Sequence, residues 1–132
     1  MTLKNIYTSG KYTENNPTYH LEDSEFKWKN FKKLLLKSNL NYKSFKNVAE
    51  IGCGVGQILS IAKKNNFFNT SSFYGYDENP DAIQRAKQLD NTISFSNEDI
   101  LKKDFEKKFD LIIAADVIEH IEDSFNFLKL LR

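Results

Sequence analysis

The apolar positions of this chain change rhythm after residue 46, and the change outlines its elements. Trp28, Phe31 and Leu35 recur at helical spacing against a Lys-rich opposite face, and Asp23-Ser24 offers a capping residue ahead of them, so an amphipathic helix is expected over Glu25 to Leu36. Beyond the polar linker Ser38 to Lys46, short apolar runs alternate with helical segments. Val48-Ala49-Glu50-Ile51 predicts a strand ending in glycines, and Gln57 to Lys64 a helix. Ser72 to Tyr76 predicts a second strand, followed by a helix that Asn79 can cap and Pro80 can start, running through Ala86. Thr92 to Phe95 predicts a third strand. Phe109 to Ala115 predicts a fourth, apolar almost throughout, as expected of a strand covered on both faces. A helix from about Ile118 to Leu131 follows. Residues 1–22 are polar and Tyr-rich, with Ser9-Gly10 and Asn15-Asn16-Pro17 as turn signals, and read as an arm lying on a domain of residues 23–132.

Strands alternating with helices imply right-handed crossovers and a mostly parallel sheet with helices on both sides, a three-layer α/β sandwich. Ligands of such sheets bind beyond the carboxyl ends of the strands, where strand order reverses. The length of 132 residues suits one domain able to bury roughly two thirds of its unfolded surface. An apolar share of 40% and an aromatic share of 14% exclude a disordered chain. Lys and Arg number 19 against 18 Asp and Glu, so no global field steers a polyanion to the surface, and nothing marks nucleic acid as a partner. Arg occurs only at Arg85 and Arg132, which disfavours a dedicated phosphate reader. Cys53 stands alone, so neither an internal disulfide nor a multi-cysteine zinc site is available, and a reducing cytoplasm is the simplest home. Met1 to Ile6 lacks an apolar signal core, and no run reaches the roughly eighteen uncharged residues of a membrane span.

Glu50-x-Gly52-x-Gly54-x-Gly56 follows one strand and opens a helix, where glycines permit close ligand approach. Their strict alternation, with no Lys following, matches neither the dinucleotide fingerprint nor the P-loop and so disfavours pyrophosphate and triphosphate ligands. Asp77 stands at the end of the second strand, where a carboxylate can accept from two vicinal ribose hydroxyls. With these residues in place, Val48 to Gly56 resembles motif I of the class I S-adenosylmethionine-dependent methyltransferases. The resemblance covers about residues 47–131 and implies a Rossmann-like fold. It implies that the loop Gly52-Cys53-Gly54-Val55-Gly56 curves around the methionine part of S-adenosylmethionine, with S-adenosylhomocysteine as product. Glu50 would hold the ammonium end or order the loop, and Glu78 would lie beside the adenine. In Ser96-Asn97-Glu98-Asp99-Ile100, Asp99 would bind the exocyclic amine of adenine and Ile100 would cover the ring.

The segment Asp116-Val117-Ile118-Glu119-His120 after the fourth strand resembles the post-strand segment of small-molecule methyltransferases, adding Asp116 to the cofactor site and making His120 the candidate general base. The same residues also resemble the metal-binding pattern of small-RNA terminal 2'-O-methyltransferases. The first position here is Asp, however, and the only other histidine is His20, so no metal is assigned. The arm Gly10 to Ser24 resembles the lead-in of bacterial methyltransferases of sugars and cell-surface polysaccharides. Methyl transfer to a small polar acceptor, a sugar or nucleotide-sugar, is therefore expected, with a noncatalytic cofactor-binding or assembly module as the alternative. The resemblance implies a seven-stranded sheet, whereas four strands precede Arg132. The domain is thus expected to be truncated after its fourth strand and helix, and able to bind cofactor without turning over. An open sheet edge would invite self-association.

Overall fold

The computed structural model describes residues 21–69, 72–102 and 105–132. The expected arm lies outside the described residues except for its last two positions, as does His20.

Helix α1 (Leu21–Lys37) carries Glu22 and Asp23 in its first turn and Lys37 in its last, the arrangement that complements the helix dipole. It begins earlier than the sequence suggests: Asp23 and Ser24 lie within the first turn rather than ahead of it. Trp28 and Leu35 face inward at 4% and 8% exposure, and Phe31 packs beside them. The linker contains a 3-10 turn, Tyr42–Ser44. Tyr42 stacks on Phe67 at 4.7 Å, and Phe67 meets Trp28 edge-on at 5.2 Å, closing the core beneath the helix.

Strands β1 (Asn47–Ile51), β2 (Ser72–Asp77), β3 (Ser94–Asn97) and β4 (Leu111–Ile113) form a parallel sheet in the order β3-β2-β1-β4. Helices α2 (Gln57–Lys64) and α3 (Pro80–Leu89) link the first three strands. Strand side chains alternate between two cores. Val48, Phe73 and Ile113 join Trp28, Leu59 and Ile83 on the face covered by α1, α2 and α3. Ala49, Ile51 and Tyr76 join Ile100 and Phe127 on the other, where Phe105, Phe109 and helix α4 (Ser124–Leu130) lie. The return from β3 to β4 thus crosses the face opposite to α2 and α3, the expected result of keeping one handedness while reversing direction. The reversal falls between β1 and β4.

Further differences from the sequence reading fall at β3, at β4 and in the segment after it. Strand β3 starts two residues later than expected because Thr92 directs both its amide and its hydroxyl to the Asp90 carboxylate, holding a turn there. Strand β4 is shortened to three residues at the sheet edge, where Leu111 and Ile112 are only half-buried. Asp110 aligns it: Oδ2 accepts from the amides of Lys46 at 2.7 Å and Asn47 at 2.8 Å, bonds that lower its pKa. The single helix expected after β4 is two pieces. A 3-10 turn, Ile118–His120, ends at an extended Ile121, and Asp123 then caps α4 by accepting from the amide of Asn126 at 2.9 Å. Among the described residues, no helix is long and apolar enough to cross a membrane.

Candidate functional site

The glycine loop leaves β1 as a tight turn against β2: the amides of Gly52 and Cys53 both donate to the Tyr76 carbonyl, at 2.8 and 3.0 Å. Gly56, at φ 75°, ends the loop as the N-cap of α2, and a Cβ there would stand 2.5 Å from Cε1 of Phe95. Neither the torsion nor the ring tolerates a side chain. Gly54 differs. Its φ is 54°, yet among the described residues nothing lies within 4 Å of where its Cβ would be, so these residues leave its face open.

Asp77, at the end of β2, holds that open glycine. Oδ2 accepts from the Gly54 amide and Oδ1 from the Asn79 amide, each at 2.8 Å. Burial raises its pKa, opposed by these two bonds. Each oxygen retains a lone pair for a further donor. Below the loop lies Glu50, 2% exposed, whose Oε2 has no hydrogen-bond partner among the described residues. Burial, reinforced by the nearby negative charge of Asp77 and opposed by Lys27, pushes its carboxyl well above the ordinary range. The Cys53 thiol is likewise pushed up by burial and by the neighbouring acids Glu50 and Asp77.

These groups line a cleft of about 660 Å³ at the carboxyl ends of the strands, within the usual range for small-molecule sites. Glu50, Gly52, Cys53, Gly54, Asp77, Glu78, Asp99, Ile100, Asp116 and His120 all contribute to its wall. Gly56 does not; it sits behind the loop against Phe95. Asp99 accepts from the Leu101 amide at 3.2 Å and pairs with Lys102 at 3.6 Å, while Ile100 is buried beside it. His120 ends the 3-10 turn at the mouth, 4.0 Å from Glu119. Asp116, with φ 53°, turns to Lys27 of α1 in an ion pair across the cleft mouth. Among the described residues, no group of three or more His, Cys, Asp or Glu side chains is placed to hold a metal ion.

Sequence reasoning passed over Asp23, Ser24 and Lys27, which bring one turn of α1 into the wall. Their three-residue spacing from Ser24 to Lys27 was the available signal, since it places both on one helix face. Among the described residues, four aspartates and four glutamates line the cleft against a single Lys or Arg, Lys27.

Residues 49–132 match the model of a methyltransferase domain family. A putative methyltransferase, 235L of Invertebrate iridescent virus 6, is 28% identical over 99 residues, covering 75% of this chain and 36% of that protein. Among solved structures, the N-methyltransferase NodS from Bradyrhizobium japonicum WM9 is 27% identical, with a TM-score of 0.60 over 78% of this chain and 59% of that one. The plantazolicin methyltransferase BpumL in complex with SAH is 25% identical, also at 0.60, over 93% of this chain and 46% of that one. The chain therefore spans about a third of the viral relative and just under half of BpumL. With its parallel Rossmann-like sheet and a matched model over most of its length, the chain belongs to the methyltransferase-domain family of the class I S-adenosylmethionine-dependent enzymes.

Proposed function

We propose that this chain binds S-adenosylmethionine in the cleft above β1 and β2 and supports methyl transfer to a small polar acceptor. The observation that carries the reading is the buried Glu50 oxygen that finds no hydrogen-bond partner among the described residues, in a cleft that those residues line with eight carboxylates and one lysine. An uncompensated buried carboxylate is costly unless a cation meets it. The cofactor fits this donor set, being free of phosphate and carrying an amine and a sulfonium. When bound, it supplies a methyl group made electrophilic by the positive sulfur.

Glu50 would neutralise the amine. Gly54, open and tethered by Asp77, would let the backbone approach the methionine portion, and the remaining lone pairs of Asp77 would accept from the ribose hydroxyls. Glu78, Asp99 and Ile100 would contact adenine. His120, at the mouth, would take the acceptor's proton, and alignment of that acceptor in the cleft would supply most of the rate. The same excess of carboxylates opposes a phosphate-bearing acceptor, so an uncharged sugar hydroxyl suits the site better than a nucleotide-sugar.

The test is calorimetric titration with S-adenosylhomocysteine of the chain and of Asp77→Ala and Gly54→Val, followed by methyl-transfer assays on uncharged sugars and nucleotide-sugars. Both substitutions are expected to weaken binding at least tenfold, about 1.4 kcal/mol. His120→Gln is expected to abolish turnover while sparing affinity. Binding indifferent to both cleft substitutions rejects the site, and binding without turnover on any acceptor selects a noncatalytic module.

A further inference from the structure

The cofactor is a zwitterion at its amino-acid end, and an anion and a cation placed side by side complement it. Glu50 provides the anion. Among the described residues lining the cleft, Lys27 is the only Lys or Arg, and it lies near enough to Glu50 to oppose the rise of that carboxyl. Lys27 pairs with Asp116, whose side chain is 63% exposed and whose backbone sits in the left-handed region that residues other than glycine rarely adopt. With Asp116 exposed and Lys27 only partly buried, the pair is open to solvent on one side, where ion pairs contribute little stability and exchange readily.

We propose that Lys27 and Asp116 form a latch across the cleft mouth: the carboxylate of the bound cofactor takes Lys27 from Asp116, and Asp116 is released toward the acceptor side. Lys27 is then a specificity residue for the amino-acid end, and Asp116 is an internal competitor for it rather than a cofactor ligand. This rests on the cleft being the S-adenosylmethionine site.

The test compares S-adenosylhomocysteine with its decarboxylated analogue, which keeps the adenosine, thioether and amine, by calorimetry on the full chain. The unaltered chain is expected to prefer the carboxylated ligand on the order of tenfold, the strength of one good charge-assisted contact. Lys27→Met should bring that ratio close to one by weakening only the carboxylated ligand, and Lys27→Arg should keep most of it. Asp116→Asn should tighten the carboxylated ligand severalfold and leave the analogue unchanged. Equal losses for both ligands in Lys27→Met, or an Asp116→Asn variant that binds the carboxylated ligand no better, overturn the latch while leaving the cofactor site standing. Failure of both ligands to bind the unaltered chain overturns the site and the latch with it.

Discussion

Glu50→Gln is expected to stabilise the ligand-free fold while weakening cofactor binding. The Glu50 carboxyl is 2% exposed, one of its oxygens has no partner among the described residues, and burial together with Asp77 raises its pKa above the ordinary 4.5. A carboxyl with a raised folded pKa holds its proton more tightly in the folded than in the unfolded state. Its contribution to stability is therefore greatest below pH 4.5 and falls as pH rises from there through the folded value. At neutral pH the charged form is the destabilising one. An unsatisfied buried acceptor costs about 1–3 kcal/mol, more when charged, and the glutamine amide must itself find partners, so a net gain of about 1–2 kcal/mol is expected. For a chain of this length that corresponds to a rise in Tm of roughly 4–8 °C. Thermal unfolding followed by circular dichroism from about pH 4 to about pH 8 measures it. The difference between the two proteins should grow with pH, since Asp77, also raised by burial, titrates in both. A variant that unfolds at or below the parent temperature at neutral pH, or two pH profiles that superimpose, refutes the reasoning.

Two further substitutions probe the scaffold that positions the cleft. Gly56→Ala places a Cβ at φ 75° against the Phe95 ring and should lower stability by about 2–4 kcal/mol in urea unfolding; a loss below about 1 kcal/mol would show that the ring moves freely aside. Asn79→Ala removes the side chain that accepts from the amides of Asp81 and Ala82 at the start of α3, and should cost about 1 kcal/mol in the same assay.

Much of this is legible in the sequence because the informative residues act locally. The glycines of the loop must solve a torsional problem at one turn, Asn79-Pro80 announces a helix start, and the alternation in β1 and β2 separates the two cores. What escaped depends on partners distant in the chain or on competing side-chain bonds. Asp90 captures Thr92 and delays β3, Asp123 starts a new helix after Ile121, and Asp110 reaches the amides of Lys46 and Asn47. The wall contributed by α1 belongs to the same class, since no local pattern shows that Lys27 meets Asp116. Gly56, grouped with the cofactor residues by its spacing, packs behind the loop because Phe95 fills the space beside it.

The central claim is that the acidic cleft at the carboxyl ends of β1 and β2 receives a phosphate-free adenosine carrying a charged amino-acid tail. A crystal of this chain grown with S-adenosylhomocysteine tests it most directly. The ribose hydroxyls are expected on the Asp77 carboxylate, with the amine beside Glu50 Oε2. A ligand seated away from these two carboxylates would contradict it.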